Sequence, residues 1–290
     1  MTDLTGRQIA RNRETQDQPS FASHREQVMR LISEAAAGIA ARGLTSPPSD
    51  KLPTITVIGA GNCQDIDLPA LADSFREIRL IDLDAVAVDA AVSQLTADVI
   101  SRIRIFAPID IAAPLMSLSG FDGLDDAAQR SALLAALESS SLQNEVPVSD
   151  IVISTCLLSQ LLDSASQIVA PDSPGFLPFI QAVRRGHLVR VLSLTAAAGR
   201  ALLITDLVSS DTVPDLAQAL SADLPKLMFR CLQSGNFFSG LNPAVVQHDI
   251  QHIPACLQLC ASSRILPPWH WHLGPRSFAV YAVEMVRRSV

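Results

Sequence analysis

The run Ile55-Thr-Val-Ile-Gly-Ala-Gly-Asn-Cys-Gln-Asp65 carries the most chemistry in this 290-residue chain. An apolar segment runs into Gly59-x-Gly61 and then into a stretch of helical character. Glycines at such a point let the backbone turn tightly and let a ligand touch the main chain. The helix start behind them offers unpaired N–H groups. About 20 residues further on, a second apolar run ends in Asp82-Leu83-Asp84, where a carboxylate can take both hydroxyls of a ribose. Alone, the glycines would be a strand-to-helix turn and Asp82 a surface acid. Together they point to a nucleotide-like ligand.

Other clusters read more plainly as structure. His248, His252, Cys256 and Cys260 recur at every fourth position and are all zinc-ligand types. Pro254 interrupts the helix that this spacing would need, and four-residue steps drift about 40° each around a helix. Packing cysteines and surface histidines are expected instead, with no metal. Cys156 lacks the surroundings of a known nucleophile and reads as a small core or pocket residue. Trp269-His270-Trp271-His272 fits a half-buried strand with tryptophans on one face and histidines on the other. Arg184, Arg185, His187 and Arg190 read as a solvated basic face.

The elements that must position these residues follow from periodicity. A helix is expected over residues 23–43, capped by Ser23, stopped by Gly43, with Val28, Leu31, Ile32, Ala35 and Ile39 on one stripe. Residues 1–20 form a polar arm, and TSPPSDKLP is a connector. Strand-like runs at 54–58, 77–82, 102–108, 148–154 and 201–205 alternate with helical segments at 68–75, 85–100, 124–138, 157–169 and 178–198. Such alternation implies a mostly parallel sheet with helices on both faces. Residues 263–273 and 277–286, joined by Gly274-Pro275, form a terminal antiparallel hairpin. The expectation is an α/β fold: a doubly wound, seven-stranded, mostly parallel sheet with a C-terminal antiparallel hairpin and an N-terminal helical extension.

With VIGAGNCQD (57–65), RLIDLD (79–84), FAPIDI (106–111), SDIVISTCLLSQL (149–161), ALLITD (201–206) and the final hairpin in this order, the chain resembles the class I S-adenosylmethionine-dependent methyltransferases over roughly residues 52–290. The resemblance implies a Rossmann-like methyltransferase domain over 51–290, preceded by the arm and helix of 1–50. It implies S-adenosylmethionine as cofactor and an in-line methyl transfer, with no catalytic residue assigned. Gly59, Ala60 and Gly61 would lie against the methionine part, Asp82 would hold the ribose hydroxyls, and Leu83 would face the adenine. Asp110 would meet the adenine amino group beside Ile111. Ser154, Thr155 and Cys156 would line the region near the transferred methyl. The family often places an acid two residues before its first glycine, where this chain has Val57. Its third small residue is replaced by Cys63-Gln64. Asn62 or Asp65 would then serve the cofactor's amino group. The same turn could serve an NAD(P)-dependent oxidoreductase, or a catalytically inactive Rossmann-like binding module.

Composition bounds the rest. An apolar fraction of 48% excludes a chain disordered throughout, and a net charge of −7 argues against a nucleic-acid backbone binder. No Asn/Asp-Pro-Pro-Tyr run follows the fourth strand, which argues against a DNA adenine methylase. A small-molecule acceptor is favoured, read out by the N-terminal helix and residues 170–195. No run of about 18 uncharged apolar residues exists, so no membrane span is expected. Five cysteines and a polar start suggest reduced thiols in a cytoplasm.

Overall fold

The computed structural model describes residues 6, 9, 21–41, 52–112, 121, 124, 126–139 and 141–289. The rest of the polar arm, Gly43 and the connector up to residue 51 lie outside the described residues. Helix α1 (Ala22–Ala40) opens the fold. Then come β1 (Thr54–Ile58), α2 (Leu68–Ser74), β2 (Glu77–Ile81), α3 (Ala85–Val92), α4 (Ala97–Ser101) and β3 (Ile103–Phe106). They are followed by α5 (Ala127–Ser139), β4 (Ser149–Thr155), α6 (Leu157–Ser166), α7 (Phe176–Leu194) and β5 (Thr195–Ser209). The chain ends with α8 (Leu224–Ser234), α9 (Pro243–His252), α10 (Pro254–Leu259), β6 (Cys260–Leu273) and β7 (Arg276–Arg287).

The seven strands form one sheet in the order β3-β2-β1-β4-β5-β7-β6. The first five are parallel, and β7 runs antiparallel to both β5 and β6. The expected architecture is therefore present. Side chains alternate between two cores, as the period of two requires. Ile55, Val57, Ile78, Leu80, Ile151, Ile153, Leu202 and Ile204 face one. Ile58, Ile81, Val152, Ala201 and Leu203 face the other. The predicted stripe of α1, Val28 through Ile39, is buried in the first core beside Trp269 and Trp271.

Several boundaries differ from expectation. The 85–100 segment is two helices, because α3 stops at Val92, whereas no residue of α4 is buried. Ser23 does not cap α1: the N-cap position is Phe21, with no side-chain bond. The helix expected to reach Ala198 ends at Leu194, and β5 starts at Thr195 because that residue pairs with Ser149. A bulge over residues 196–199, with Ala198 at φ +61°, then brings Arg200 opposite Ile151. Among the described residues no helix is long and apolar enough to cross a membrane.

Candidate functional site

Strand order reverses at β1: the chain first builds outward through β2 and β3, then returns to place β4 and β5 on the other side. Ligands of open α/β sheets bind at the carboxyl ends of the strands beside such a switch point. The glycine turn, Asp82 and the loop after β3 come together on this edge. Gly59 (φ +79°) and Gly61 (φ +50°) turn the chain out of β1. A Cβ at Gly59 would lie 3.1 Å from that of Leu157, so both conformation and space require glycine. The N–H groups of Gly59 and Ala60 donate to the Ile81 carbonyl at 2.9 and 3.1 Å.

Asp82 ties the ends of β1, β2 and β3 together. Its Oδ2 accepts from Gly61 N at 2.7 Å and its Oδ1 from Asp84 N at 2.8 Å. Its carbonyl accepts from Ile109 N at 2.8 Å, which draws in the loop after β3. The Thr155 hydroxyl at the end of β4 donates to the Gly59 carbonyl at 3.3 Å. Burial raises the Asp82 carboxyl above the usual carboxylate range, and the Asp84 and Gly61 N–H groups pull the other way. Asp84 caps α3 through the Ala87 N–H at 3.1 Å. Leu83 and Asp110 are half-buried, and Ile111 is buried. Asp110 Oδ1 closes its own loop on Ala112 N at 2.7 Å. Asn62 Oδ1 does the same with Gln64 N at 3.4 Å.

Ser154 and Cys156 play different parts. Strand alternation turns Ser154 into the core, where its Oγ lies 2.8 Å from His187 Nε2 and both residues are fully buried. Its hydroxyl is therefore not brought to the sheet edge. Cys156 takes the left-handed conformation (φ +49°) that starts α6. Burial, then Asp206 and Asp65, push its thiol well above the ordinary value. Ser159, one turn into α6, donates to Asp206 Oδ1 at 2.5 Å.

The basic cluster is not a solvated face. Arg184, His187 and Arg190 are buried, and Arg184 pairs with buried Asp249 at 2.5 Å. The tryptophans of β6 are buried and its histidines partly exposed, as the alternation implies. His248 and His252 stack exposed on α9, whereas Cys256 and Cys260 are buried on the following elements. Among the described residues no three His, Cys, Asp or Glu side chains form a metal-binding group.

One contributor has no local sequence signal. Helix α1 lies on the segment that follows the glycines. Arg25 Nε donates to the Gln64 carbonyl at 2.8 Å, and Asp67 N approaches Met29 Sδ at 3.4 Å. His24 stacks on Trp271 with centroids 4.6 Å apart and accepts from Trp269 Nε1 at 3.1 Å. Its Nε2 lies 3.5 Å from Asp65 Oδ1.

No protein-family model and no curated protein matches the sequence. Among solved structures, the chain is similar to an O-methyltransferase family protein from Burkholderia thailandensis, with 14% identity, 91% of this chain, 58% of that one and a TM-score of 0.37. It is similar to the 1,6-didemethyltoxoflavin-N1-methyltransferase of the same organism, solved with its substrate and S-adenosylhomocysteine (12% identity, 93% and 86% of the chains, TM-score 0.39). It is also similar to the plantazolicin methyltransferase BpumL, solved with a desmethyl analogue and S-adenosylhomocysteine (10%, 99% and 92%, TM-score 0.43). The chain spans about three fifths of the length of the first of these. Strand order and register, rather than these similarities, define the fold.

Proposed function

We propose that this chain is a class I S-adenosylmethionine-dependent methyltransferase acting on a small molecule, with residues 51–290 as the methyltransferase domain and residues 1–50 as an added arm and helix. The observation that carries this reading is the convergence on Asp82. One carboxylate at the end of β2 is bonded to the glycine turn after β1, and its backbone to the loop after β3. That arrangement supplies, within one sheet edge, a bare backbone turn, a ribose acceptor and an adenine-side loop.

The residues present fit the cofactor. Gly59 and Gly61 both take positive φ, and a Cβ at Gly59 would also crowd Leu157, so the turn is bare backbone. Each carboxylate oxygen of Asp82 accepts one N–H and retains capacity for a hydroxyl. Leu83 and Ile111 offer apolar surface for a base, and Asp110 an acceptor for its amine. When bound, S-adenosylmethionine supplies a sulfonium methyl for in-line transfer to a nucleophile. The chain's part is to fix the nucleoside through Asp82, to set the arm against residues 59–61, and to keep water from the reacting centre. The buried Cys156 side chain acts there as a wall.

Strand order supports this over a nicotinamide dinucleotide. The dinucleotide fold repeats its mononucleotide half with a parallel sixth strand, whereas here β7 inserts antiparallel between β5 and β6. The acidic balance supports a small acceptor over nucleic acid. The buried free cysteines suit a reducing cytoplasm. Titration calorimetry tests the reading. S-adenosylhomocysteine should bind at micromolar concentration and reduced NAD(P) should not. Absence of S-adenosylhomocysteine binding at high micromolar concentration overturns it.

A further inference from the structure

The carboxyl ends of β1, β4 and β5 lie side by side in that order. The glycine turn leaves the first. Cys156 follows the second, and its N–H donates to the Ile204 carbonyl of the third at 2.9 Å. Strand β4 ends opposite Ile204, whereas β5 runs on to Ser209. This leaves a step at the sheet edge, and Asp206 stands on it, across Cys156 from the turn. Asp206 keeps 7% exposure, the same as Asp82, whereas the preceding Thr205 has none. The half-buried Ser159 directs its hydroxyl at Asp206 Oδ1. Irregular backbone over residues 235–242 crosses the same strand end. Phe238 N donates to the Leu207 carbonyl at 2.9 Å, Arg184 Nη1 to the Gly240 carbonyl at 3.1 Å and the Tyr281 hydroxyl to the Leu241 carbonyl at 2.9 Å. Those three bonds tie the segment to β5, α7 and β7. Phe238 is half-buried and packs against both cores, so it sits at the rim of the sheet, over the residue that follows Asp206.

We propose that Asp206, with Ser159 and Phe238, reads the methyl acceptor and takes its proton, and that the acceptor is a flat ring that arrives uncharged and bears the hydroxyl or N–H to be methylated. This rests on the methyltransferase reading above and adds to it a substrate class and a base. Strands β1 and β5 are two strand spacings apart, roughly 10 Å. That span leaves room between the glycine turn and Asp206 for a transferred methyl and an acceptor atom. The chemistry of the step selects the acceptor. A carboxylate accepts hydrogen bonds and disfavours a second anion beside it. The cation on the crossing segment, Arg184, is committed to Asp249 and to the Gly240 carbonyl, so it does not offset an acceptor carboxylate or phosphate. The Phe238 ring offers an aromatic face for a planar partner. A neutral O–H or N–H beside Asp206 donates to it before reaction. As the acceptor atom bonds to the methyl carbon, the sulfonium C–S bond breaks and its electron pair stays on sulfur. The acceptor's proton passes to Asp206 and from there to water.

The test uses the chain saturated with S-adenosylhomocysteine and two ring probes. One is 4-nitrophenol, which bears the donor; the other is 4-nitroanisole, the same ring with that oxygen already methylated. Calorimetry reads binding, and the visible phenolate band reads the ionisation of bound 4-nitrophenol. The parent complex should bind both rings and raise the pKa of 4-nitrophenol by about one unit, because Asp206 disfavours the phenolate. Asp206→Asn should abolish that rise and cost about tenfold or more in 4-nitrophenol affinity, with 4-nitroanisole and S-adenosylhomocysteine unchanged within about threefold. Phe238→Leu should weaken both rings alike. Retained S-adenosylhomocysteine binding certifies that a variant is folded. If Asp206→Asn loses it, Ser159→Ala decides: a loss of about threefold in 4-nitrophenol affinity alone supports the proposal, and no change overturns it. An unshifted 4-nitrophenol in the parent complex, equal loss of both rings in Asp206→Asn, or binding of neither ring overturns the role of Asp206 and leaves the methyltransferase reading standing. A parent chain that binds no S-adenosylhomocysteine overturns that reading and the proposal with it.

Discussion

Asp82→Asn separates the two duties assigned to this carboxylate. In the folded chain it accepts two backbone N–H bonds, from Gly61 at 2.7 Å and Asp84 at 2.8 Å. Asparagine keeps one carbonyl oxygen and turns an amide N–H₂ toward the other donor. One charge-assisted bond is lost, worth roughly 1.5–3 kcal/mol, and the remaining one weakens to a neutral bond. Burial works in the opposite direction, because a neutral amide is cheaper to bury than a carboxylate whose pKa is already raised. The net destabilisation should be about 1–2 kcal/mol, or roughly 2–8 °C in Tm for a chain of this size. The ligand loses more. A ribose diol facing an amide instead of a carboxylate gives up a charged acceptor, about 2–3 kcal/mol, or roughly 30- to 150-fold in Kd for S-adenosylhomocysteine. Asp84→Asn is the matched control. It weakens the α3 cap by about 1 kcal/mol or less and should leave ligand affinity intact. Melting and calorimetry on the two variants read these quantities. If Asp82→Asn binds within about threefold of the parent, or if Asp84→Asn loses affinity equally, Asp82 does not hold the nucleoside.

Three further outcomes follow from the packing. Gly186→Ala should cost about 3 kcal/mol or more in urea denaturation, because its Cβ would run into the Leu137 carbonyl oxygen where α7 crosses α5. His187 has its pKa lowered to about 3 by burial and then by Arg190, against 6.5 when unfolded. The unfolded chain therefore binds a proton that the folded chain refuses, and stability falls as pH drops from 6.5 toward 3. His187→Gln should flatten that fall between pH 6 and 4, read as urea midpoints against pH. His24 adds to the same slope, and Asp65, raised to about 7, opposes it. Glu284, buried, accepts from Arg200 at 2.6 Å and from the exposed Arg264 at 2.5 Å. Arg200→Met should cost about 3 kcal/mol in the same denaturation assay and Arg264→Met under about 1 kcal/mol, since water screens the second pair.

Features encoded by local pattern were legible in the sequence. The glycine turn, the alternating apolar runs and the closing hairpin are each set within about ten residues of chain, and each appears where periodicity puts it. What could not be read depends on distant partners. Arg184 looks solvated until Asp249 is seen beside it. Ala196 to Ala198 continue a helical pattern, yet pairing with β4 draws the segment into β5. The break after Val92 has no glycine or proline to announce it. It follows from tertiary packing, which buries α3 against the sheet and leaves α4 outside.

The site shows the same division. Gly59, Gly61 and Asp82 belong to a local fingerprint, but their geometry depends on residues that no fingerprint contains. The turn carries three consecutive odd-numbered positions at positive φ, Gly59, Gly61 and Cys63. Cysteine pays strain there that glycine avoids. Such a backbone persists only where surrounding contacts over-determine it. Here Asp82 holds Gly61 from β2, Thr155 holds Gly59 from β4, and Arg25 holds Gln64 from α1. Those three contacts come from three elements on different sides of the turn. The helix at 22–40 therefore belongs to the same physical unit as the sheet edge, although a proline-rich connector separates the two in sequence. Its buried stripe anchors it to the sheet, and that anchoring is what sets His24 and Arg25 over residues 64 and 65.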